Sequence, residues 1–306
     1  MTKISRIYFD SDFVEEAAFL TIKAKGDHEE WVKKFDRIRE EIYNQDISGE
    51  EKDKLFKNFS EACFLELGLH HVFEKVYAEF PLFLNSNLEI FVKRIWNKNK
   101  EDSDLYVHGN LKRVVLTLQA NRILSLASLE AFLRHQLMRI SDILDSNFAY
   151  SPTVELGGKN EIEDNLIRDR FRILWDMYID ARLHRKNLST IIPEEGRKKI
   201  FEKVFSFLPS VDQEGLYQKI TKGSIYTQAD LLKFACHERQ TNVLDKGGVR
   251  CPLCDFVCYD LKKEWLKEDL FLIDEIQKDY PIWEPSIGLC VQCLDMYRSK
   301  MRVSHE

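Results

Sequence analysis

Two short cysteine pairs near the C-terminus constrain the fold of this 306-residue chain more than any other feature. Cys251 and Cys254 lie in the segment CPLC, Cys290 and Cys293 lie in GLCVQC, and 35 residues separate the two pairs. Zinc prefers four tetrahedral thiolate ligands, and two C-x2-C turns supply them. The spacing therefore predicts a C-terminal zinc ribbon in which these four cysteines hold a structural zinc ion.

Other roles for the cysteines are weighed against this prediction. An iron–sulfur cluster uses the same four ligands, so that alternative stays open from the sequence. A thioredoxin-like redox pair would need one C-x-x-C beside a βαβ unit, which the helical context does not offer. Cys258 is expected on a short strand as a buried thiol, because zinc closes at four ligands. Cys236, which precedes His237, is interpreted as a helix residue packed in the core rather than as a substitute ligand.

The scarcity of helix-breaking residues sets the expected fold class. The chain has only 12 glycines and 7 prolines, with 44% hydrophobic and 31% charged residues. This composition predicts a mostly α protein, a helical-bundle body with a small C-terminal zinc ribbon that carries a helical insertion. We expect residues 1–245 to form the helical domain and residues 246–306 the zinc-ribbon module. The polar segment 97–110 is a candidate linker within the body, and one long helix is expected from 111 to 144.

Cysteine usage and hydropathy predict a cytoplasmic protein. The number of cysteines is seven, and five of them lie after residue 250. An odd, clustered set is not typical of a disulfide framework and favours a reducing compartment. The N-terminal segment lacks the uninterrupted apolar stretch of a secretory signal, and no apolar run is long enough to span a membrane. We therefore expect no membrane partner.

The insertion between the two cysteine pairs has a helical pattern. In LKKEWLKEDLFLIDEIQKDY, residues 261–280, apolar side chains recur at helical spacing. They predict a packing face made of Trp265, Leu266, Leu270, Ile273 and Ile276. The aromatic residues of the module are expected to form its small core: Phe256, Tyr259, Trp265, Trp283 and Tyr297.

A second segment, LRHQLMRISDILD at 133–145, resembles the H-E-x-x-H helix of zinc metallopeptidases. Gln136 stands where that motif has its general base, and Arg139 stands where it has its second histidine. On a helix His135, Arg139 and Asp142 share one face, opposite a stripe of leucines. We expect this polar face to be solvated. A hydrolase, or a lapsed zinc metallopeptidase, with a site near His135 is the alternative.

Two histidines form a weaker candidate group. His70 and His71 lie near Glu66 and Glu74 in the sequence, and His70 and Glu74 are four residues apart. A di-iron bundle would need a second carboxylate–histidine helix, which the chain does not offer. We interpret these residues as polar residues on a helix surface. Nucleotide-binding loops and nucleophile motifs are also absent from the sequence, so no catalytic residue is predicted.

The charge distribution argues against nucleic acid as a partner. The chain has a formal net charge of −6, and residues 246–306 contain nine Lys and Arg against eleven Asp and Glu. A nucleic-acid-binding ribbon normally presents a basic face. The alternative is a nucleic-acid-binding protein that uses the basic patch 182–199, which includes Arg185, Lys186, Arg197, Lys198 and Lys199.

As a whole, the chain resembles uncharacterised bacterial proteins that join a helical body to a CPLC…GLCxxC tail. The resemblance covers the cysteine segments, and it implies a zinc ribbon but no established activity. A strong metal-binding pattern without an intact catalytic constellation favours a non-catalytic zinc-binding adaptor or regulatory protein. Its expected partner is another protein.

Overall fold

The computed structural model describes residues 1–24, 30–97, 100–158, 161–223, 225–236, 248–266 and 269–303. The chain is 59% helical, which confirms the predicted mostly α class. It divides into two compact units, Met1–Ser146 with Leu183–Ile191 and Asn147–Arg182 with Ile192–Glu306. Within the described residues no helix is both long enough and apolar enough to cross a membrane.

The N-terminal unit combines helices with a sheet. Its helices are α1 (Ser11–Ala24), α2 (Glu30–Tyr43), α3 (Gly49–Glu66), α4 (His71–Ala78), α5 (Pro81–Leu84) and α6 (Leu126–Leu144). Its strands are β1 (Thr2–Ile4), β2 (Ile7–Phe9), β3 (Leu88–Arg94), β4 (Asp102–His108) and β5 (Leu111–Leu118). The sheet order is β1-β2-β3-β5-β4. Strands β2, β3 and β5 are parallel, and β1 and β4 pair antiparallel at the edges.

This five-stranded sheet was not predicted, and it corrects two expectations. The predicted helix from 111 to 144 is wrong at its start, because the first eight residues form β5, and it is confirmed from Leu126 to Leu144. The segment 97–110 is not a simple linker, because β4 occupies much of it. Side chains alternate along β5, with Val114, Leu116 and Leu118 buried, as expected for a strand with one face in the core.

Aromatic side chains fill the core beside the sheet. Phe9 on β2 lies 5.1 Å from Phe64 on α3 and 5.1 Å from Phe73 on α4, measured between ring centroids. Phe13 on α1 lies 6.0 Å from Phe73 in an edge-to-face arrangement. These rings are all buried, and such pairs add to the free energy that apolar burial supplies. The core therefore fixes the positions of α3 and α4 against the sheet.

The C-terminal unit contains the cysteine pairs. Its elements are the larger part of α7 (Glu161–Arg185), followed by α8 (Glu194–Val204), α9 (Ser210–Lys222), α10 (Gln228–Ala235), β6 (Val249–Arg250), β7 (Val257–Cys258), α11 (Leu270–Asp279) and α12 (Val291–Val303). Strands β6 and β7 form a small antiparallel hairpin. The predicted domain boundary between residues 245 and 246 lies outside the described residues and stays a prediction.

Candidate metal centre

The four predicted cysteines come together in the C-terminal unit. Their sulfur atoms all lie within 4.8 Å of one another, and all four residues are buried. The Sγ atoms of Cys251 and Cys293 are 3.9 Å apart, and those of Cys254 and Cys290 are also 3.9 Å apart. Each short distance therefore joins one cysteine of the first pair to one of the second. The arrangement is a candidate tetracysteine metal site, because all four sulfur atoms are close enough to share one ion.

The first pair lies in the tight turn between β6 and β7. The Cys251 N–H donates to the Phe256 carbonyl at 2.8 Å, and the Asp255 N–H donates to the Cys251 carbonyl at 2.8 Å. Asp255 closes this turn in the left-handed region, with φ of 60°. Aspartate tolerates that region better than most residues do. The turn directs the side chains of Cys251 and Cys254 to the same point.

The second pair lies at the start of α12 and depends on Gly288. That residue has φ of 80°, and a Cβ atom there would lie 2.7 Å from the Lys262 carbonyl oxygen. Only glycine fits this backbone without displacement. The Leu289 and Lys262 backbones then exchange two hydrogen bonds of 2.9 and 3.2 Å. The Cys290 N–H points at the Cys251 Sγ, 3.4 Å away, and so supports the sulfur electrostatically.

Hydrogen bonding inside the site moves the pKa values of Cys251, Cys254 and Cys293 in different directions. Hydrogen bonding with the Cys251 sulfur, together with burial, holds the pKa values of Cys254 and Cys293 well above that of an ordinary thiol. The pKa of Cys251 is lowered by hydrogen bonding with the side chains of Cys254, Cys290 and Cys293. Four buried thiolates at this spacing repel one another. A divalent cation would supply the compensating charge that lets all four ionise.

Two tryptophans donate hydrogen bonds to the backbone segment that precedes the second cysteine pair. Trp283 Nε1 donates to the Gly288 carbonyl at 3.1 Å, and Trp265 Nε1 donates to the Pro285 carbonyl at 2.9 Å. The two indoles meet edge to face at 5.5 Å. Phe256, Trp283 and Tyr297 are buried as predicted, but Tyr259 is 36% exposed and does not belong to the core.

The insertion contains less helix than expected. Among the described residues of the segment 261–280, the α-helix is Leu270–Asp279. The predicted packing face is confirmed at Ile276 and wrong at Leu266 and Leu270. Leu272 and Ile276 are the buried residues of α11, whereas Leu266 is 66% exposed and Leu270 is 57% exposed. The predicted helix residues 267–268 lie outside the described residues. The side chains of Leu266 and Leu270 therefore lie at the protein surface.

Arg170 on α7 joins the cysteine-bearing segments to the rest of the C-terminal unit. Its guanidinium lies between two rings, 3.9 Å from the centroid of Phe207 and 4.2 Å from that of Phe256. It also donates to the Gln292 side-chain carbonyl at 2.6 Å. Phe256 follows Cys254 by two residues, and Gln292 directly precedes Cys293. Sequence reasoning missed Arg170, which is 1% exposed, because nothing in its local sequence marks it as buried.

The remaining cysteines lie apart from the site. Cys258 is on strand β7 as predicted, buried, and its thiol donates to the Val249 carbonyl at 3.4 Å. Cys236 is partly exposed at the end of α10, with its sulfur 4.0 Å from the Leu156 carbonyl oxygen. It is therefore less buried than the core position predicted for it. His237 lies outside the described residues.

The polar face near His135 is not solvated, which corrects the prediction. His135 is 2% exposed, Gln136 5% and Asp142 4%. The Gln136 side-chain carbonyl accepts a hydrogen bond from Ser103 Oγ at 2.8 Å. Arg139 forms an ion pair with Asp102 on β4 at 3.3 Å. Helical periodicity indicates which residues share a face, but it does not show whether that face is covered.

The basic patch 182–199 is less cationic than its sequence suggests. Arg197 is 6% exposed and donates to Asp180 at 2.7 Å and to Asp176 at 3.1 Å. Lys198 pairs with Glu214 at 2.9 Å. The nucleic-acid alternative placed Arg197 at the surface, and this is wrong because Arg197 is buried and paired with Asp176 and Asp180.

Comparison with known proteins assigns no family to the chain. No protein-family model matches it, and no curated protein or solved structure matches it either. The resemblance to bacterial proteins with a CPLC…GLCxxC tail is supported at the tetracysteine site alone. Function therefore has to be inferred from the geometry of that site and of the surfaces around it.

Proposed function

We propose that Cys251, Cys254, Cys290 and Cys293 hold one structural zinc ion. The observation that carries this proposal is the spacing of the sulfurs. A tetrahedron with zinc–sulfur bonds of about 2.3 Å has edges of about 3.8 Å. The Cys251–Cys293 and Cys254–Cys290 sulfur–sulfur distances are both 3.9 Å. A disulfide would need sulfurs about 2.05 Å apart, so the geometry favours an ion over oxidation.

The same spacing favours a single ion over an iron–sulfur cluster. In a cluster the cysteines ligate different iron atoms that inorganic sulfides bridge, so some of the cysteine sulfurs are spread more widely than one tetrahedron allows. Here all four sulfurs lie within 4.8 Å of one another. All four ligands come from protein, which is typical of structural zinc and leaves no open position for substrate.

The surface around the zinc site suits a protein partner. Several large apolar side chains of this module are exposed, namely Val249, Leu266, Leu270, Phe271, Ile282, Ile287 and Val291. Phe271 is 77% exposed and Ile282 is 93% exposed. Large exposed apolar patches mark interaction sites on proteins, and we propose that these side chains form such a patch. The proposed function is therefore a non-catalytic adaptor or regulator whose zinc ribbon docks on another protein.

The two alternatives have less support. A hydrolase built on the H-E-x-x-H-like helix lacks the general base, and Ser103 already binds the Gln136 amide that replaces it. A nucleic-acid binder would need free cations, yet two members of the basic patch, Arg197 and Lys198, are paired with carboxylates. Because His135 is buried, replacing it tests whether a buried polar network, as the first alternative requires, exists at this helix.

Site-specific photo-crosslinking tests the adaptor role. A photoreactive amino acid at position 271, in the full zinc-loaded chain, should crosslink to one recurrent protein in the native host. The matched control is position 211, because Val211 is 83% exposed but lies on α9 outside the zinc-ribbon segment. Phe271→Glu should abolish copurification of that protein, and Val211→Glu should not.

The opposite results would reject the adaptor role. Equal crosslinking from positions 211 and 271 would show that the ribbon surface has no selectivity. Nanomolar binding to DNA or RNA that falls by roughly 10³-fold between 50 and 200 mM salt would favour the nucleic-acid alternative instead.

A further inference from the structure

A second group of metal-binding side chains lies in the N-terminal unit, where a turn joins α3 to α4. His70 directly precedes α4, His71 is its first residue, and Glu74 lies in its first turn. One potential ligand atom of each residue lies within 4.8 Å of those of the other two. The interpretation of these residues as polar residues on a helix surface does not account for this convergence.

The distances within the group are close to those around a bound ion. Glu74 Oε2 lies 3.4 Å from His71 Nδ1 and 3.8 Å from His70 Nε2. A tetrahedral ion with bonds of about 2.1 Å to nitrogen and oxygen has edges of about 3.4 Å. The distance from Glu74 to His71 already has that length, and the distance from Glu74 to His70 exceeds it by a few tenths of an ångström. Small side-chain rotations would therefore bring the three atoms to bonding distance.

The backbone turn positions the two imidazoles. Gly68 has φ of 66° and ends α3 in a Schellman arrangement, in which the Leu69 N–H donates to the Phe64 carbonyl at 3.1 Å. A Cβ atom at Gly68 would lie 2.9 Å from Cδ2 of His71. Glycine at this position therefore both reverses the chain and leaves room for the His71 ring.

Neighbouring lysines do not compete for the carboxylate. Lys75 pairs with Glu130 at 2.6 Å, and Lys34 pairs with Glu66 at 3.4 Å. In the part of the chain that the structure describes, the ion-pair partners of Glu74 are the two histidines. The His70 side chain is 13% exposed and that of His71 is 72% exposed, so the group is anchored on one side and open to solvent on the other.

We propose that His70, His71 and Glu74 bind one divalent ion of the borderline transition metals, the class that contains Zn²⁺, Ni²⁺ and Cu²⁺. Two imidazoles and one carboxylate are ligands that such ions prefer. Three protein ligands leave at least one coordination position for water or a small anion. The site is separate from the tetracysteine site and does not depend on the function proposed for it.

Calorimetric titration of ZnCl₂ into the full chain, already carrying one equivalent of zinc, tests this site. We expect one further equivalent to bind. His71→Ala and Glu74→Gln should each weaken that second binding by at least about tenfold, since even loss of a hydrogen-bond partner behind a ligand costs that much. His71 is well exposed, so its replacement should leave the fold intact. Glu66→Gln is the matched control and should leave the affinity unchanged.

Nuclear magnetic resonance of the histidine rings supplies a readout at the site itself. The second equivalent of zinc should shift the ring signals of His70 and His71, identified by their loss in His70→Ala and His71→Ala. Absence of a second equivalent would overturn the proposal. So would a second equivalent whose affinity both His71→Ala and Glu74→Gln leave unchanged, or one that shifts other histidines only.

Discussion

Replacement of Arg170 by methionine should destabilise the C-terminal unit and loosen the metal centre. Arg170 contacts the rings of Phe207 and Phe256 and donates to Gln292. Each desolvated ring contact contributes about 2 kcal/mol, and a hydrogen bond from a charged group contributes about 1.5–3 kcal/mol. Methionine restores some packing and removes the cost of a buried charge. We therefore expect the free energy of unfolding to fall by about 3 kcal/mol, within the usual range for buried networks.

Urea unfolding followed by near-ultraviolet circular dichroism measures this loss, and chelator-driven metal release measures its effect on the site. Release should be faster in Arg170→Met, because Phe256 and Gln292 lie next to the cysteine pairs. Arg168→Met is the matched control: Arg168 is on the same helix, exposed, and bonded to Asn165, so its loss should stay within about 0.5 kcal/mol. A loss below about 1 kcal/mol in Arg170→Met, with unchanged metal release, would refute the anchoring role.

Urea midpoints also test three further substitutions. His135→Ala should lower the free energy of unfolding by about 1–3 kcal/mol, because the His135 side chain is 2% exposed. A change within about 0.5 kcal/mol would mean that this face of α6 is solvated. Gly288→Ala should lower the free energy of unfolding by about 1–3 kcal/mol and weaken metal binding. Gly109→Ala is the control: its Cβ would meet open space, so the free energy of unfolding should fall less and metal binding should not change. Arg197→Gln should lower the free energy of unfolding by about 3–5 kcal/mol, because it removes one partner of a buried ion pair. An unchanged free energy of unfolding would contradict the pairing of Arg197 with Asp176 and Asp180.

The tetracysteine site was predictable because its signal is local and chemically specific. Two C-x2-C turns need little beyond themselves to present their sulfurs, and few other structures need that pattern. The left-handed backbone of Gly288, two residues before Cys290, was also predictable in principle, because glycine adopts that region without steric cost. Asp255 was not, because aspartate occupies the left-handed region only in some turns.

The sheet could have been found from a weaker signal. Gly109 and Asn110 lie between β4 and β5, and Gly109 has φ of 57° in a two-residue hairpin loop. A Gly–Asn pair between two alternating segments is a recognised hairpin signal. The alternation along β5 was outweighed by the long leucine stripe that follows in α6. The helix predicted from this stripe therefore included β5, which is a strand.

The contacts of Arg170 and the burial of His135 could not be predicted. Both depend on residues far apart in the sequence, and a pattern along one helix carries no information about what covers it. The convergence of His70, His71 and Glu74 was visible only as an i,i+4 spacing, because the orientation of the imidazoles depends on the turn at Gly68.

X-ray absorption at the zinc edge, on full-length protein carrying one equivalent of metal, tests the central claim most directly. The account predicts zinc with a single shell of four sulfur neighbours at about 2.3 Å. In Cys251→Ser it predicts three sulfur neighbours and one oxygen or nitrogen neighbour, because one sulfur ligand is removed. A shell dominated by nitrogen or oxygen, or purified protein whose metal is iron with inorganic sulfide, would contradict a zinc ion held by Cys251, Cys254, Cys290 and Cys293.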